Sequence, residues 1–238
     1  MNFQYIMALA VMCAIYAFVV SNLGNMRHTR LCNFIFALSV FVPYVCLSAT
    51  VYKDVGLYDW NFRNTLPVAN VSPFSFSMMP ILIFIPRKAK RHVFMLISLL
   101  SVAMFGATVL GCLNNAVINY KFHFHFMLDY VAHFALSVFG IYLIKSGQVV
   151  PTVKSFIKSS AILLSVATSM LFLNLIFDTA FFGLSLRGKH NIYNNVIVDN
   201  SYLSALIYYL AMIFLLFVGF IFCKIIYKRN ISSKTAKS

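Results

Sequence analysis

The chain has 238 residues, of which 61% are apolar and 10% charged, against about 45–50% and about 25% in soluble domains. Its formal net charge is +14 and its only acidic residues are five Asp, with a mean hydropathy of +0.86. These values exclude a soluble enzyme, a disordered chain and any site that needs several carboxylates, such as a di-iron bundle; they describe a polytopic membrane protein.

A membrane span must satisfy its backbone internally, which leaves helices and closed barrels. The period-2 alternation of barrel strands is absent, so the fold class is all-α. A spanning helix needs about 20 mostly apolar residues. Seven runs qualify: 3–21, 31–51, 66–86, 93–113, 124–144, 157–178 and 202–226. The expected architecture is a seven-transmembrane-helix bundle in one domain, 1–226, followed by a basic cytoplasmic tail, 227–238.

No Lys or Arg precedes the first run, the first basic residue being Arg27, so it reads as a span rather than a signal peptide. The third run opens Thr65-Leu66-Pro67-Val68-Ala69-Asn70-Val71-Ser72-Pro73. Pro67 suits a first helical turn, and Pro73 is expected to kink the helix by removing a backbone hydrogen bond. The fourth run ends in Cys112, Asn114 and Asn115. The fifth begins Phe122-His123-Phe124-His125-Phe126 and continues to Asp129 and His133. His125, Asp129 and His133 stand at i, i+4 and i+8 and share a helical face. Farther along, Gly140 permits close helix approach. The sixth run ends in Asn174 and Asp178, again at i, i+4. The connection 179–201 reads as a solvated loop or a lid.

The charges sort by side. Fourteen of the 19 Lys and Arg fall in loops 22–30 and 87–92, the fifth-to-sixth connection and the C-terminal end; five (Lys53, Arg63, Lys121, Arg187, Lys189) fall opposite. The positive-inside rule then puts the N-terminus outside and the C-terminus in the cytoplasm, in a cell membrane of bacterial cytoplasmic type. That explains the net charge without nucleic acid. All five Asp fall toward the outer side. The five Cys carry no CxxC or metal spacing and read mostly as buried apolar thiols.

Polar side chains inside hydrocarbon are costly and mark function by default. Asn70, Ser72, Asp129 and His133 lie at similar depth below the outer surface, and Cys46, Cys112, Asn114, Asn115, Asn174 and Asp178 lie near that depth, which implies a polar pocket there. Three readings stay open: a hydrogen-bond network that only fixes helix packing, a catalytic or lipid-headgroup site, and a pathway for an ion or solute. The Ser165, Thr168 and Ser169 series is the one candidate for a continuing polar ladder. A carboxylate beside a His fixes its tautomer and raises its basicity, as a general base requires. No metal site is expected: His125, Asp129 and His133 cover about 12 Å along one helix, too far for a single ion. No cofactor motif is present, and membrane lipids are the expected partners.

On the Pro-rich stretch 67–73 and on Asp129-Tyr130-Val131-Ala132-His133 the chain resembles the YwaF-like integral membrane proteins, relatives of the transmembrane protein 164 group of phospholipid acyltransferases. The resemblance implies a lipid acyl transferase or hydrolase with His133 as base, and it implies a Cys nucleophile in the third-span opening. This chain has no Cys there; Ala69 or Val71 stands in its place, and neither forms a thioester. The chain is then either a catalytically silent relative or uses another nucleophile. By depth the candidates are Ser72, Cys46 and Cys112, with Ser72, His133 and Asp129 fitting the logic of a triad. Asn70, His125, Asn114, Asn174 and Asp178 are the candidate substrate contacts.

Overall fold

A computed structural model describes residues 2–22, 30–55, 66, 70–82, 85, 87–118, 123–177 and 201–235. Seven helices form among these residues: α1 (Phe3–Asn22), α2 (Arg30–Val55), α3 (Val71–Ile81), α4 (Arg87–Ile118), α5 (Phe124–Lys145), α6 (Val153–Phe177) and α7 (Ser201–Thr235). There is no strand among the described residues. Six of the helices are long and apolar enough to cross a membrane. The exception is α3, whose 11 residues rise about 16 Å, against a hydrocarbon core of about 30 Å.

Several helices outrun their apolar windows. α4 starts at Arg87 and takes in the basic cluster read as a loop, α6 starts at Val153, and α7 continues without a break to Thr235. The third run differs most. Its helix begins at Val71, after Asn70 in an extended conformation, and the first helical bond runs from Phe74 N to Asn70 O. Pro73 is therefore a first-turn residue whose missing N–H has no intrahelical acceptor to lose. It starts the helix rather than kinking it. Pro67 lies outside the described residues.

α5 is the buried axis of the bundle. From Ala132 to Ile144 all but Phe134 are buried, and α5 packs against α1, α2, α3, α4 and α7. The α4–α5 seam is tight because Gly140 has no side chain: a Cβ there would stand 2.7 Å from Ser101 Cβ and 2.9 Å from the Ile97 carbonyl oxygen. Ser98 Oγ donates to Gly140 O across the seam at 3.0 Å. Gly219 does the same for α7, where a Cβ would run into the Leu99 carbonyl. The outer faces of α1, α6 and α7 carry exposed Phe18, Ile176, Phe172 and Phe214, the apolar exterior a lipid-facing bundle needs. Among the cysteines, Cys112 and Cys223 are buried, Cys13 and Cys32 are half-buried, and Cys46 is exposed, so the buried reading fails for most of them.

Contacts between helix ends fix their directions. Asn33 and Gln148 exchange a pair of amide hydrogen bonds of 2.8 and 2.9 Å. Lys145 reaches the Val20 carbonyl, Asn230 donates to Lys145 O, and Ser159 donates to His92 O. One end of the bundle therefore gathers the N-termini of α2, α4 and α6 and the C-termini of α1, α5 and α7, with Arg30, Lys90, Lys145, Lys154, Lys158, Lys228 and Arg229. At the other end Asn2 N donates to Ala116 O, and His123 N donates to Tyr5 Oη. Between α2 and α4, the chain passes from Ser72, beside His133, to Leu82 and Ile85, which share a cavity with Arg30 and Lys90.

Candidate functional site

α3 starts against the middle of the bundle, and its first turn faces α5. Ser72 is the second helical residue, and Phe76, one turn on, lies on the same face. Both meet His133. The Phe76 ring stands edge-on to the imidazole, centroids 4.9 Å apart, and Tyr44 of α2 packs behind Phe76. His133 is buried at 8% exposure.

The imidazole is held at both nitrogens. Nδ1 is 2.8 Å from the Asp129 carbonyl oxygen and 3.3 Å from Asp129 Oδ1. A carbonyl oxygen can only accept, so Nδ1 carries the hydrogen. In the neutral ring Nε2 is then the acceptor. Nε2 lies 2.9 Å from Ser72 Oγ, so the serine hydroxyl donates to it. The carboxylate distance exceeds the usual 2.7–2.9 Å of a charge-assisted bond. The backbone carbonyl sets the tautomer, and the half-buried carboxylate stands near enough to stabilise an imidazolium.

Ser72 also opens onto an apolar cavity of about 350 Å³ between α3, α4 and α7, lined by Asn70, Leu100, Ala103, Met104, Tyr208 and Met212 among others. Met104 Sδ lies 3.8 Å from Ser72 Oγ. At the same place the start of α3 presents backbone donors: the N–H groups of Val71 and Ser72 precede the first helical bond and have no acceptor within the helix. Asn70 is exposed at the cavity edge, and its side chain makes no capping hydrogen bond.

The remaining candidates are dispersed. His125 sits in the first turn of α5, half-buried, its ring against Phe126 and His123. Asn114 is exposed on α4. Asn174 is buried, but on α6, which packs against α4 and α7. Asp178 and the connection 179–200 lie outside the described residues. Cys112 packs with Tyr5 and Tyr130 in a separate cluster. Thr168 and Ser169 are exposed and return their hydroxyls to the backbone one turn back. Sequence reasoning missed Phe76, whose ring fixes His133 and whose apolar character gave no signal; Asn115, named in the sequence for its depth, bonds Tyr130 Oη beside the Cys112 cluster instead.

Comparison with family models, with curated proteins and with solved structures returns no match for this chain. The class that fold and site define is thus an all-helical, multi-pass membrane protein with an internal Ser–His–Asp arrangement at the mouth of an apolar cavity.

Proposed function

We propose that the chain crosses the membrane seven times, N-terminus outside and basic end cytoplasmic, and that Ser72, His133 and Asp129 form the nucleophilic centre of a lipid acyl transferase or hydrolase. The alternation of helix directions and the clustering of Arg and Lys at one end support the topology. In that arrangement the stretch from α3 to Ile85 makes one crossing, and the centre lies toward the outer leaflet. The likeness to YwaF-like proteins points the same way, with a serine hydroxyl doing the work of the expected thiol.

The chemistry follows from the hydrogen bonds. Ser72 Oγ attacks the carbonyl carbon of an ester, and its proton passes to His133 Nε2. The negative charge on the carbonyl oxygen falls to the N–H groups of Val71 and Ser72 at the positive end of α3. Asp129 stabilises the imidazolium. His133 then protonates the departing alkoxide, leaving an acyl-Ser72 ester. A water or a second lipid hydroxyl attacks that ester, again losing its proton to His133. The apolar cavity holds the acyl chain, and Asn70 offers a donor at the headgroup side.

The observation that carries this reading is the 2.9 Å bond between Ser72 and His133 at the lip of an apolar cavity. A fluorophosphonate probe tests it. Wild-type protein in micelles should be labelled at Ser72, and Ser72→Ala and His133→Ala should not be labelled. Absence of labelling in a folded wild type would leave the bond a packing device, and the polar core a structural one.

A further inference from the structure

The basic end of the bundle contains a second cavity, of about 430 Å³, separate from Ser72 and independent of any activity there. Arg30 and Lys90 line it, together with Leu82, Phe94 and Phe139. We propose that it is a binding site for the phosphate of an anionic phospholipid, with the lipid's acyl chain along its apolar wall.

The argument begins with misplaced charge. Arg30 is the first residue of α2, and Lys90 is the fourth of α4. Cations at a helix N-terminus face the positive end of the dipole. Here two such termini and two cations converge on one space. Among the described residues no acid relieves this. The only Asp residues among those described, Asp54 and Asp129, end α2 and begin α5, toward the opposite end of the bundle. The wall's one neutral polar side chain, Asn33, is turned to Gln148, with which it exchanges two bonds, and Gln148 donates a further bond to Ser146. Among the described residues the Lys90 side chain makes no hydrogen bond or ion pair, and its ammonium stands over the face of Phe94 at 5.5 Å. An anion is the missing partner, and a phosphate accepts from guanidinium and ammonium alike.

The lower wall decides between a free anion and a lipid. Ala37, Leu82, Phe94 and Phe139 are apolar, and Phe34 is 43% exposed at the rim, so the cavity opens toward the apolar exterior of α2. A soluble ion would leave that wall uncovered. A phospholipid fills both parts. Basic pockets between helices on the cytoplasmic side are the usual place for such headgroups.

The test uses full-length protein in a neutral detergent, with bound lipid read by native mass spectrometry after equilibration with phosphatidylglycerol, phosphatidylcholine or inorganic phosphate. Wild type should retain phosphatidylglycerol at least tenfold over phosphatidylcholine. The double variant Arg30→Gln/Lys90→Gln should fall to parity. Lys228→Gln, at the same end but outside the cavity, should keep the preference. Equal loss in Lys228→Gln would mean diffuse charge attraction, and competition by millimolar inorganic phosphate would mean a free-anion site; either overturns the proposal. Should the double variant not fold, a photoreactive phosphatidylglycerol on wild type decides. Crosslinks to the peptides that carry Phe34 or Phe94 support the site, and crosslinks confined elsewhere refute it.

Discussion

His133 Nε2 lies 2.9 Å from Ser72 Oγ although the residues are 61 positions apart in the chain, and the same ring is anchored by its own helix through Nδ1. A base and a nucleophile held this way act as one unit. Ser72→Ala and His133→Ala should therefore each lower turnover of a lipid ester by about 10²–10⁴-fold. The double variant should be no slower than the slower single, because each change removes the same step. Single-turnover acyl release from a chromogenic ester in micelles measures all three. Multiplying losses would show that the residues act separately.

Asp129→Asn should cost far less. In the familiar serine protease triad the equivalent change costs about 10⁴-fold because the tautomer is lost. Here the Asp129 backbone carbonyl, at 2.8 Å, holds the Nδ1 hydrogen whatever the side chain, and the carboxylate stands at 3.3 Å. Only the stabilisation of imidazolium disappears. A fall of about 10–100-fold in kcat with an unchanged KM is expected. A loss equal to that of His133→Ala would mean that the carboxylate, not the carbonyl, orients the ring.

Ser72→Cys places a thiol within reach of the same imidazole. It should make the protein sensitive to iodoacetamide at residue 72, and His133→Ala should suppress that reactivity, since the thiolate is the reactive form. Peptide mapping reads the modified position. Equal alkylation with and without His133 would show that the histidine does not take the proton.

Much of this arrangement was legible in the chain. The limits 3–21 and 124–144 fall within one residue of α1 and α5, because those helices are apolar almost end to end. Hydropathy fails where a helix leaves the hydrocarbon: Arg87–His92 reads as a loop but is the first turn and a half of α4. The third run differs from its helix for another reason. Apolar character runs through 66–86, but hydropathy says nothing of where a helix starts, and Asn70 with Pro73 set that point.

The site divides in the same way. Depth can be counted along a span, and the i, i+4 spacing put Asp129 beside His133. Matching depth also put Ser72 level with them. Direction around the bundle cannot be counted. Asn174 shares the depth, but its helix packs on α4 and α7, and Asn114 points outward. The Asn33–Gln148 pair spans 115 residues and has no signature in sequence.

Gly140→Ala should destabilise the bundle. The added methyl would meet the Ile97 carbonyl and Ser98 Cα as well as Ser101 Cβ, so backbone must move, and the Ser98–Gly140 bond lengthens with it. Overpacking of this kind costs about 1–3 kcal/mol. A lower thermal midpoint in detergent is the expected outcome. Gly106→Ala, where a Cβ meets nothing within 4 Å, should be neutral and serves as the control.

The cavity beside Ser72 makes the last prediction. Ala103 lies on the α4 wall between Leu100 and Ala107, next in the chain to Met104, whose sulfur contacts Ser72. Ala103→Phe fills part of the volume and leaves Ser72, His133 and Asp129 themselves in place. If acyl chains lie there, long-chain esters should lose affinity while short-chain esters keep theirs. One buried methylene is worth about 0.8 kcal/mol, so exclusion of three or four should raise KM for long chains by about two orders of magnitude. For a butyryl ester kcat should stay within a factor of about two, since the reacting groups are undisturbed. A chain-length series of esters measured on wild type and variant gives the comparison. Parallel losses for short and long chains would place the acyl group elsewhere and leave this cavity without a role in substrate binding.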